Sequence, residues 1–269
     1  MNGRENTYVK QRAGAPSGFF ATEAAGLRWL AQASADGGVD VVEVLDQDAT
    51  SVTLERIDEA RPSDGVAAAA TRFGAALAAT HAAGAPAFGA LPPGASTYFF
   101  GPLEQPLTLP HAESPTFGAF YARARLQPVL EHTRLERRDA DLARRVCSAV
   151  ESGAVDAWAN GDVVRPARVH GDLWSGNVLW TRDGAVVIDP AACGHHQLAD
   201  LAMLTMFGAP GLEAILDAYA DAAHLPDGWR EHLPLHQLFG WLVHLHLFGA
   251  GYVAPVSSAL TASAELLGI

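Results

Sequence analysis

The sequence predicts an α+β fold with two unequal lobes, a small β-rich lobe followed by a larger and mainly helical one. Two observations support this. Three β-like runs and one helical run fall within the first sixty residues, and the later pattern is helical apart from one embedded β-hairpin. We therefore expect an amino-terminal lobe over residues 1–58 and a carboxy-terminal lobe over residues 59–269.

Four segments make up the predicted small lobe. The run NTYVKQ alternates apolar and polar residues, as a strand does. Residues 17–33 show helical periodicity and begin with Ser17, a favourable N-cap residue. The β-branched runs at 39–46 and 50–57 are separated by a short polar turn, so we expect an antiparallel pair.

The rest of the chain is predicted to be helical. A polar crossing at 59–65 leads into an alanine-rich helix over 66–84, which is followed by a Pro- and Gly-rich loop from about 84 to 110. Periodicity predicts six further helices, at about 115–132, 137–152, 197–207, 211–223, 229–249 and 257–267. The apolar runs ARVHG, NVLW and AVVID precede the last four helices and predict the embedded β-ribbon.

Composition excludes several classes of protein. A hydrophobic content of 49% and a mean hydropathy of +0.09 exclude general disorder. The net charge of -12 argues against a nucleic-acid partner. Cys147 and Cys193 are too few for a disulfide framework, which favours a reducing compartment. The first residues lack a signal-peptide apolar region, and the most apolar late stretch is too short to span a bilayer. We expect a cytoplasmic protein with no membrane partner.

The stretch RVHGDLWSGNVLWTRDGAVVIDP, residues 168–190, concentrates polar side chains beside apolar strands. Asp172 and Asn177 lie at the two ends of one tight turn, and Asp189 ends the strand that returns after a DG turn. Asn177 and Asp189 therefore lie at the same end of a hairpin and can share a cation. A carboxylate with an amide oxygen suits Mg²⁺. Asp172, beside them, could accept a proton from a hydroxyl group.

This spacing matches the catalytic loop of phosphotransfer enzymes. In that loop Asp and Asn are separated by four residues, and a second Asp downstream holds Mg²⁺. The alternative interpretation is structural, an Asx-rich turn whose carboxylates cap backbone groups. The joint match of H-G-D-x-x-x-x-N with a later I-D favours phosphotransfer.

The same residues carry a family resemblance. HGDLWSGNVLW, VVIDPA and ADLAMLTMFG closely resemble the fructosamine kinases, or ketosamine 3-kinases, of the aminoglycoside phosphotransferase and choline kinase group. The resemblance continues through VKQRAGAPSGFFATEAAGLRWLA, LAATHAAGAPAFG and FGAFYARARLQPVL, so it covers nearly all of the chain. It implies a protein-kinase-like fold, with ATP and Mg²⁺ as cofactors.

The resemblance also implies roles for individual residues. Asp172 would be the catalytic base, and Asn177 and Asp189 would bind Mg²⁺. Lys10 corresponds to the strand lysine that contacts the nucleotide phosphates, and Glu23 would pair with it. Without the resemblance, Lys10 is an exposed charge on an edge strand and Glu23 a solvent-facing helix residue.

Further residues are assigned to the edges of the site. The backbone of Glu55 and Ile57 would face the adenine, in the segment that corresponds to the family's hinge. His170 would brace the catalytic turn, and Asp200 would anchor that turn or cap its own helix. Trp174 is either packed core or a wall against which a sugar ring stacks.

Two departures from the family pattern stand out. The family begins with a β-hairpin and a Gly-containing loop upstream of the lysine strand, whereas this sequence starts about nine residues before Lys10. Either the start of the sequence is mis-assigned, or the small lobe lacks its first hairpin and with it the loop that covers the phosphates. In the stretch GHHQLAD, His196 matches a family histidine that would contact substrate, but Gln197 and Leu198 replace an Arg-Glu pair.

The leading hypothesis is an ATP-dependent kinase for the 3-hydroxyl of ketosamines, free or protein-bound, which would make it a deglycating repair enzyme. A kinase for another amine-bearing small molecule is one alternative. A non-catalytic or weakly active kinase-fold binding protein is another, favoured by the missing hairpin. A third is a metal-dependent phosphohydrolase that uses five residues, His170, Asp172, Asp189, His195 and His196. The sequence does not specify the amine to which the sugar is attached, which we call the carrier amine, or the oligomeric state.

Overall fold

Three strands near the amino terminus form an antiparallel sheet in the computed structural model, which describes residues 6–269. The central strand β4 (Ser51–Glu55) pairs with β1 (Thr7–Gln11) on one side and β3 (Val44–Gln47) on the other. Helix α1 (Phe19–Ala31) packs on this sheet. The predicted strand and helix at the start of the small lobe are confirmed.

Helix α1 buries its apolar face against the central strand of this sheet. Phe20 and Leu27 are at most 1% exposed and pack with Val52 and Leu54, forming what we call the small core. Burying each such side chain contributes about 1.5–3 kcal/mol. The predicted N-cap at Ser17 is wrong, because the helix begins after Gly18, whose φ of 82° is left-handed and which offers no side chain to the first turn.

The predicted antiparallel pairing of the run at 39–46 is wrong for its first half. Strand β2 (Asp40–Val41) runs parallel to β9 (Ala185–Val187), which pairs antiparallel with β8 (Val178–Trp180) in the embedded hairpin. Val41 of β2 packs against both the small core and the larger hydrophobic core of the helical region. This short strand therefore has apolar contacts with two clusters. The lobe boundary at residue 58 stays a prediction, and residues 1–5 lie outside the described residues.

The remainder of the described chain is mainly helical, as predicted. Its helices are α2 (Val66–Ala82), α3 (Phe117–Phe120), α4 (Gln127–Leu130), α5 (Arg137–Glu151), α6 (Leu198–Phe207), α7 (Leu212–Ala223), α8 (Leu233–Phe248) and α9 (Val253–Leu267). A π-helical turn, Tyr121–Leu126, joins α3 to α4. Helices α2 and α7 approach closely at Gly74, where a Cβ atom would collide with the Ile215 carbonyl. No helix within residues 6–269 combines the length and apolar content that crossing a membrane requires.

Two strand pairs were not predicted. Strands β5 (Tyr98–Phe100) and β6 (Leu107–Leu109) form a hairpin inside the segment expected to be a loop. All three residues of β5 are buried, so the alternation that marks a half-exposed strand is missing from the sequence. Strand β10 (Cys193–His195) pairs antiparallel with β7 (Ala167–Val169), and the predicted catalytic turn follows β7 along the chain.

Candidate active site

The turn after β7 carries the predicted catalytic aspartate. Gly171 has a φ of 85°, and a Cβ atom there would collide with the Ala191 carbonyl, so only glycine fits. Asp172 follows, and its carbonyl accepts a hydrogen bond from the Trp174 amide at 3.1 Å. A 3-10 turn, Ser175–Asn177, completes the loop. Asp172 lines a groove.

Asn177 ties the turn to the embedded hairpin. Its amide Nδ2 donates to the Asp172 carbonyl at 2.8 Å and lies 3.4 Å from both Asp172 Oδ2 and the Asp189 carbonyl. The Ile188 amide donates to the Asn177 carbonyl at 3.1 Å. Because Nδ2 donates to these acceptors, Oδ1 is the side-chain atom of Asn177 that remains available to bind a ligand. Asp172, Asn177 and Asp189 therefore come together as the spacing predicts.

Asp189 follows strand β9 in an unusual backbone conformation. Its φ of 54° lies in the left-handed region, which non-glycine residues adopt rarely. The carboxylate Oδ1 is 3.1 Å from Lys10 Nζ, and the same Nζ is 2.8 Å from Glu23 Oε2. The exposed fractions of the Lys10 and Glu23 side chains are 12% and 5%, so neither is a solvated surface charge. The predicted Lys10–Glu23 ion pair is present.

Lys10 keeps its charge although it is largely buried. Burial lowers the pKa of its ammonium, but the carboxylates of Glu23 and Asp189 outweigh burial and leave that pKa above its usual value. A fixed positive charge therefore lies beside Asp189 at physiological pH. Such a charge can bind phosphate oxygens.

Asp172 has the electrostatic character of a general base. Burial raises the pKa of its carboxyl group, and the nearby charges of Asp189 and Asp200 raise it further. Asn177 and Lys10 offset only part of this effect, so the pKa of Asp172 is about 7. A base with a pKa near the working pH is suited to take up a proton from a hydroxyl group.

Asp200 holds the catalytic turn from the core side. It lies in the first turn of α6, is fully buried, and accepts hydrogen bonds from the His170 and Gly171 amides at 2.8 Å each. His81 Nε2 lies 3.0 Å from the same carboxylate, and His81 Nδ1 is 2.7 Å from Tyr219 Oη. Of the two roles expected for Asp200, this geometry supports the anchor. Sequence reasoning missed His81 as its partner.

His170 braces the same turn, as expected. Its Nε2 lies 2.8 Å from the Ile188 carbonyl, which can only accept, so Nε2 carries the proton. Its Nδ1 is then free to accept from the Asp172 amide at 3.3 Å. Burial lowers the pKa of the imidazole and keeps it neutral. The ring links this turn to Ile188, which lies between strand β9 and Asp189.

A groove of about 730 Å³ opens over these residues. Its lining includes the polar set, Lys10, Glu23, Asp172, Asn177 and Asp189. The β5–β6 hairpin and helices α6 and α8 contribute further lining residues, including Phe99, Glu104, Phe207, His244 and Phe248. Sequence reasoning missed this second part of the lining.

Trp174 lies where a substrate wall was expected. It lines the groove, is 43% exposed, and packs so closely over Gly176 that a Cβ atom there would collide with the ring. Of the two interpretations, the exposed ring face supports a wall rather than packed core. Its contact with a sugar stays a prediction.

Two groups of predicted site residues lie away from this groove. Glu55 and Ile57 do not line it, and the Glu55 amide donates to the Glu43 carbonyl at 2.9 Å. Their contact with adenine stays a prediction. His196 is 2% exposed, with its ring 4.2 Å from that of His236, so its buried position does not support the substrate contact expected for it.

The ligand set of the phosphohydrolase alternative is not brought together. Among residues 6–269, no group of three or more His, Cys, Asp or Glu side chains is arranged to hold a metal ion. His195 and His196 are buried against Phe117, and neither lines the groove that Asp172 lines. The geometry therefore opposes that alternative.

Comparison with known proteins gives a consistent result. The family model described as fructosamine kinase matches residues 1–265. Mouse ketosamine-3-kinase is 35% identical over 133 residues, which cover 49% of this chain and 42% of the mouse enzyme. The matched stretch thus spans less than half of that enzyme's length.

Two solved structures of known proteins resemble this chain in fold. A fructosamine-3-kinase homologue from Thermobifida fusca superposes with a TM-score of 0.83 and is 41% identical, covering 96% of this chain and 85% of its own. The choline kinase LicA from Streptococcus pneumoniae has a TM-score of 0.60 at 16% identity, covering 98% of this chain and 88% of its own. At that identity the likeness is one of fold, and it confirms the predicted α+β, protein-kinase-like architecture.

Proposed function

Because the chain belongs to the fructosamine kinase family, we propose that it is an ATP-dependent kinase that phosphorylates the 3-hydroxyl of ketosamines. The observation that carries the proposal is the convergence of Lys10, Asp172, Asn177 and Asp189 in one groove. Phosphoryl transfer depends mainly on positioning and on charge stabilisation. These four side chains supply a fixed cation, a base and two oxygen ligands.

The donor set fits a hard divalent cation bound with a nucleotide. Asn177 Oδ1 and the partly exposed Asp189 carboxylate are oxygen ligands of the kind that Mg²⁺ prefers. Mg²⁺ at this position would neutralise charge on the β- and γ-phosphates of ATP. Lys10, held between Glu23 and Asp189, would bind phosphate oxygens from the adjacent side.

Asp172 would act on the acceptor. With a pKa of about 7, its carboxylate is available at neutral pH to take the proton of the attacking hydroxyl. His170 and Asp200 hold its backbone in place through the contacts described above, so the carboxylate need not reorganise. The proton would move from the hydroxyl oxygen to Asp172 as that oxygen bonds to the γ-phosphorus of ATP. The bond between the γ-phosphorus and the β–γ bridging oxygen would break in the same step, and ADP would leave.

The charge of the groove supports an acceptor that carries an amine. Among the described residues that line it, Lys10 is the single Lys or Arg, against four carboxylates at Glu23, Glu104, Asp172 and Asp189. A groove of this charge favours a cationic acceptor over an anionic one. The secondary ammonium group of a ketosamine meets this requirement. Phosphorylation at the 3-hydroxyl would make the adduct labile, which gives the proposed deglycation role.

The test is incubation with ATP·Mg²⁺ and a panel of ketosamines, followed by phosphorus NMR of the products. We expect a new sugar-phosphate resonance with fructosamine or ribulosamine adducts and none with free fructose. Asp189→Ala should abolish that resonance, whereas Asp183→Ala, at the exposed far end of the same hairpin, should keep it. The absence of a phosphorylated ketosamine with any member of the panel would refute the proposal.

A further inference from the structure

Exposed aromatic side chains are concentrated in one place on this molecule. Among residues 6–269, four large aromatic residues are more than a third exposed, namely Tyr8, Trp174, Phe207 and Phe248. All four line the groove. Exposed apolar surface that gathers at one site indicates a binding surface, whereas scattered exposure does not.

Phe207 and Phe248 lie on either side of a histidine. They are 43% and 57% exposed and come from the carboxy-terminal ends of α6 and α8. The His244 ring centroid is 5.1 Å from that of Phe207 and 5.4 Å from that of Phe248. The three rings therefore form a continuous wall along one part of the groove lining.

The hydrogen bond that His244 makes with the Gly240 carbonyl determines whether its other ring nitrogen can donate to or accept from a ligand. Its Nδ1 is 2.8 Å from the Gly240 carbonyl, which can only accept, so Nδ1 carries a proton. Burial lowers the pKa of His244 and keeps the ring neutral, although the Gly240 bond acts in the opposite direction. Nε2 is then an acceptor, and no donor within the described residues reaches it. A ligand with an N–H group would satisfy it.

We propose that Phe207, His244 and Phe248 form the subsite for the carrier amine of the ketosamine, an inference that rests on the function proposed above. The phenyl rings cover an alkyl arm of the carrier, and His244 Nε2 accepts a hydrogen bond from the ammonium N–H group. The subsite thereby selects ketosamines of amines with several methylene groups, such as a lysine side chain, over those of short amines.

The experiment compares two acceptors that differ in the carrier alone, the fructose adducts of n-butylamine and methylamine. Three additional methylenes at about 0.8 kcal/mol each would give roughly a 60-fold preference if fully buried. Since the phenyl rings cover one side of the arm, we expect kcat/KM to favour the butyl adduct by about ten-fold. Phe207→Ala and Phe248→Ala should each reduce this ratio about three-fold, because the loss of kcat/KM is larger for the butyl adduct than for the methyl adduct.

His244 is tested through its acceptor nitrogen. His244→Leu should raise KM for both adducts about ten-fold while kcat changes less, because the lost bond is to the shared ammonium group. His244→Gln, which restores an acceptor oxygen, should recover part of this loss. His246→Leu, on the exposed face of the same helix, and Val163→Ala, an exposed apolar residue that does not line the groove, are the matched controls.

The outcomes separate this inference from the proposed function. Equal kcat/KM for the two adducts in the wild-type protein, or a ratio that both Phe variants leave unchanged, would overturn the subsite while ketosamine kinase activity stands. Equal loss in the Leu and Gln variants of His244 would overturn its role as acceptor. No turnover of either adduct would overturn the proposed function and, with it, this inference.

Discussion

Asp172 and Asp200 lie on the groove side and the core side of the same catalytic turn, and their carboxylates have opposite properties. Burial is the largest influence on both and raises the pKa of each. Asp200 nevertheless has a pKa below its usual value, because His81 and the Gly171 amide stabilise its charge. Asp172 has a pKa of about 7.

The difference between the pKa values of Asp172 and Asp200 follows from the number of hydrogen-bond donors around each carboxylate. Asp200 has two backbone amides at 2.8 Å and an imidazole at 3.0 Å. Asp172 has only the Asn177 amide at 3.4 Å among the described side chains, and it faces the repulsion of Asp189 and Asp200. Burial by itself therefore does not set a pKa in this fold. The surroundings of Asp200 favour its charged form, whereas those of Asp172 favour its protonated form.

The largest effect that would test this comparison is on turnover. In Asp172→Asn we expect kcat to fall by roughly 10²–10⁴-fold, because a positioned general base is lost. Nucleotide affinity should stay nearly intact, since Asp172 is not expected to be a primary metal ligand. Steady-state kinetics and calorimetric titration with ATP·Mg²⁺ measure the two quantities. Asp183→Asn serves as the control, and wild-type turnover in Asp172→Asn would rule out the base assignment.

Substitution of Asp200, on the core side of the turn, should lower the stability of the fold. Asp200→Asn places an amide NH₂ group against one of the two backbone donors, so we expect the free energy of unfolding to fall by about 2–4 kcal/mol. Urea denaturation followed by circular dichroism measures this loss. Asp221→Asn, an exposed acid on α7, should change stability by less than about 0.5 kcal/mol. An equally small change in Asp200→Asn would mean that the turn is held by other contacts.

The smallest expected effect is a change in how the stability of the fold depends on pH, and it arises from Asp172. Because the pKa of Asp172 rises from 3.8 to about 7 on folding, its protonated form stabilises the fold at low pH. This contribution is complete below about pH 4 and is lost as the pH rises through about 7. At pH 8 the wild-type protein then carries a desolvated carboxylate that Asp172→Asn lacks.

We therefore expect Asp172→Asn to be more stable than the wild-type protein by about 1–2 kcal/mol at pH 8, with the difference shrinking towards pH 5. The full shift would correspond to about 4 kcal/mol, and partial exposure of the groove reduces it. Thermal denaturation of both proteins from pH 5 to 8 measures the difference. A constant difference across that range would show that Asp172 does not titrate near neutrality.

The sequence by itself determined the features that depend on short spacings. The tight turn between Asp172 and Asn177 and the hairpin that ends at Asp189 follow from local turn chemistry, so their convergence could be predicted. Helical periodicity likewise predicted the order of the long helices. The Lys10–Glu23 pair needed the family resemblance, because neither residue stands out on its own strand or helix.

Only the tertiary structure decided the contacts between distant segments. The parallel pairing of Asp40–Val41, the β5–β6 hairpin and the His81–Asp200 contact, which joins residues 119 positions apart, leave no periodic signal in the sequence. His196 lies within a matching motif, yet core packing turned its ring away from the groove. The Phe207, His244 and Phe248 wall likewise comes from two helix ends that packing brings together. Spacing along the chain specifies local geometry, whereas burial of apolar surface from several elements selects which distant side chains meet.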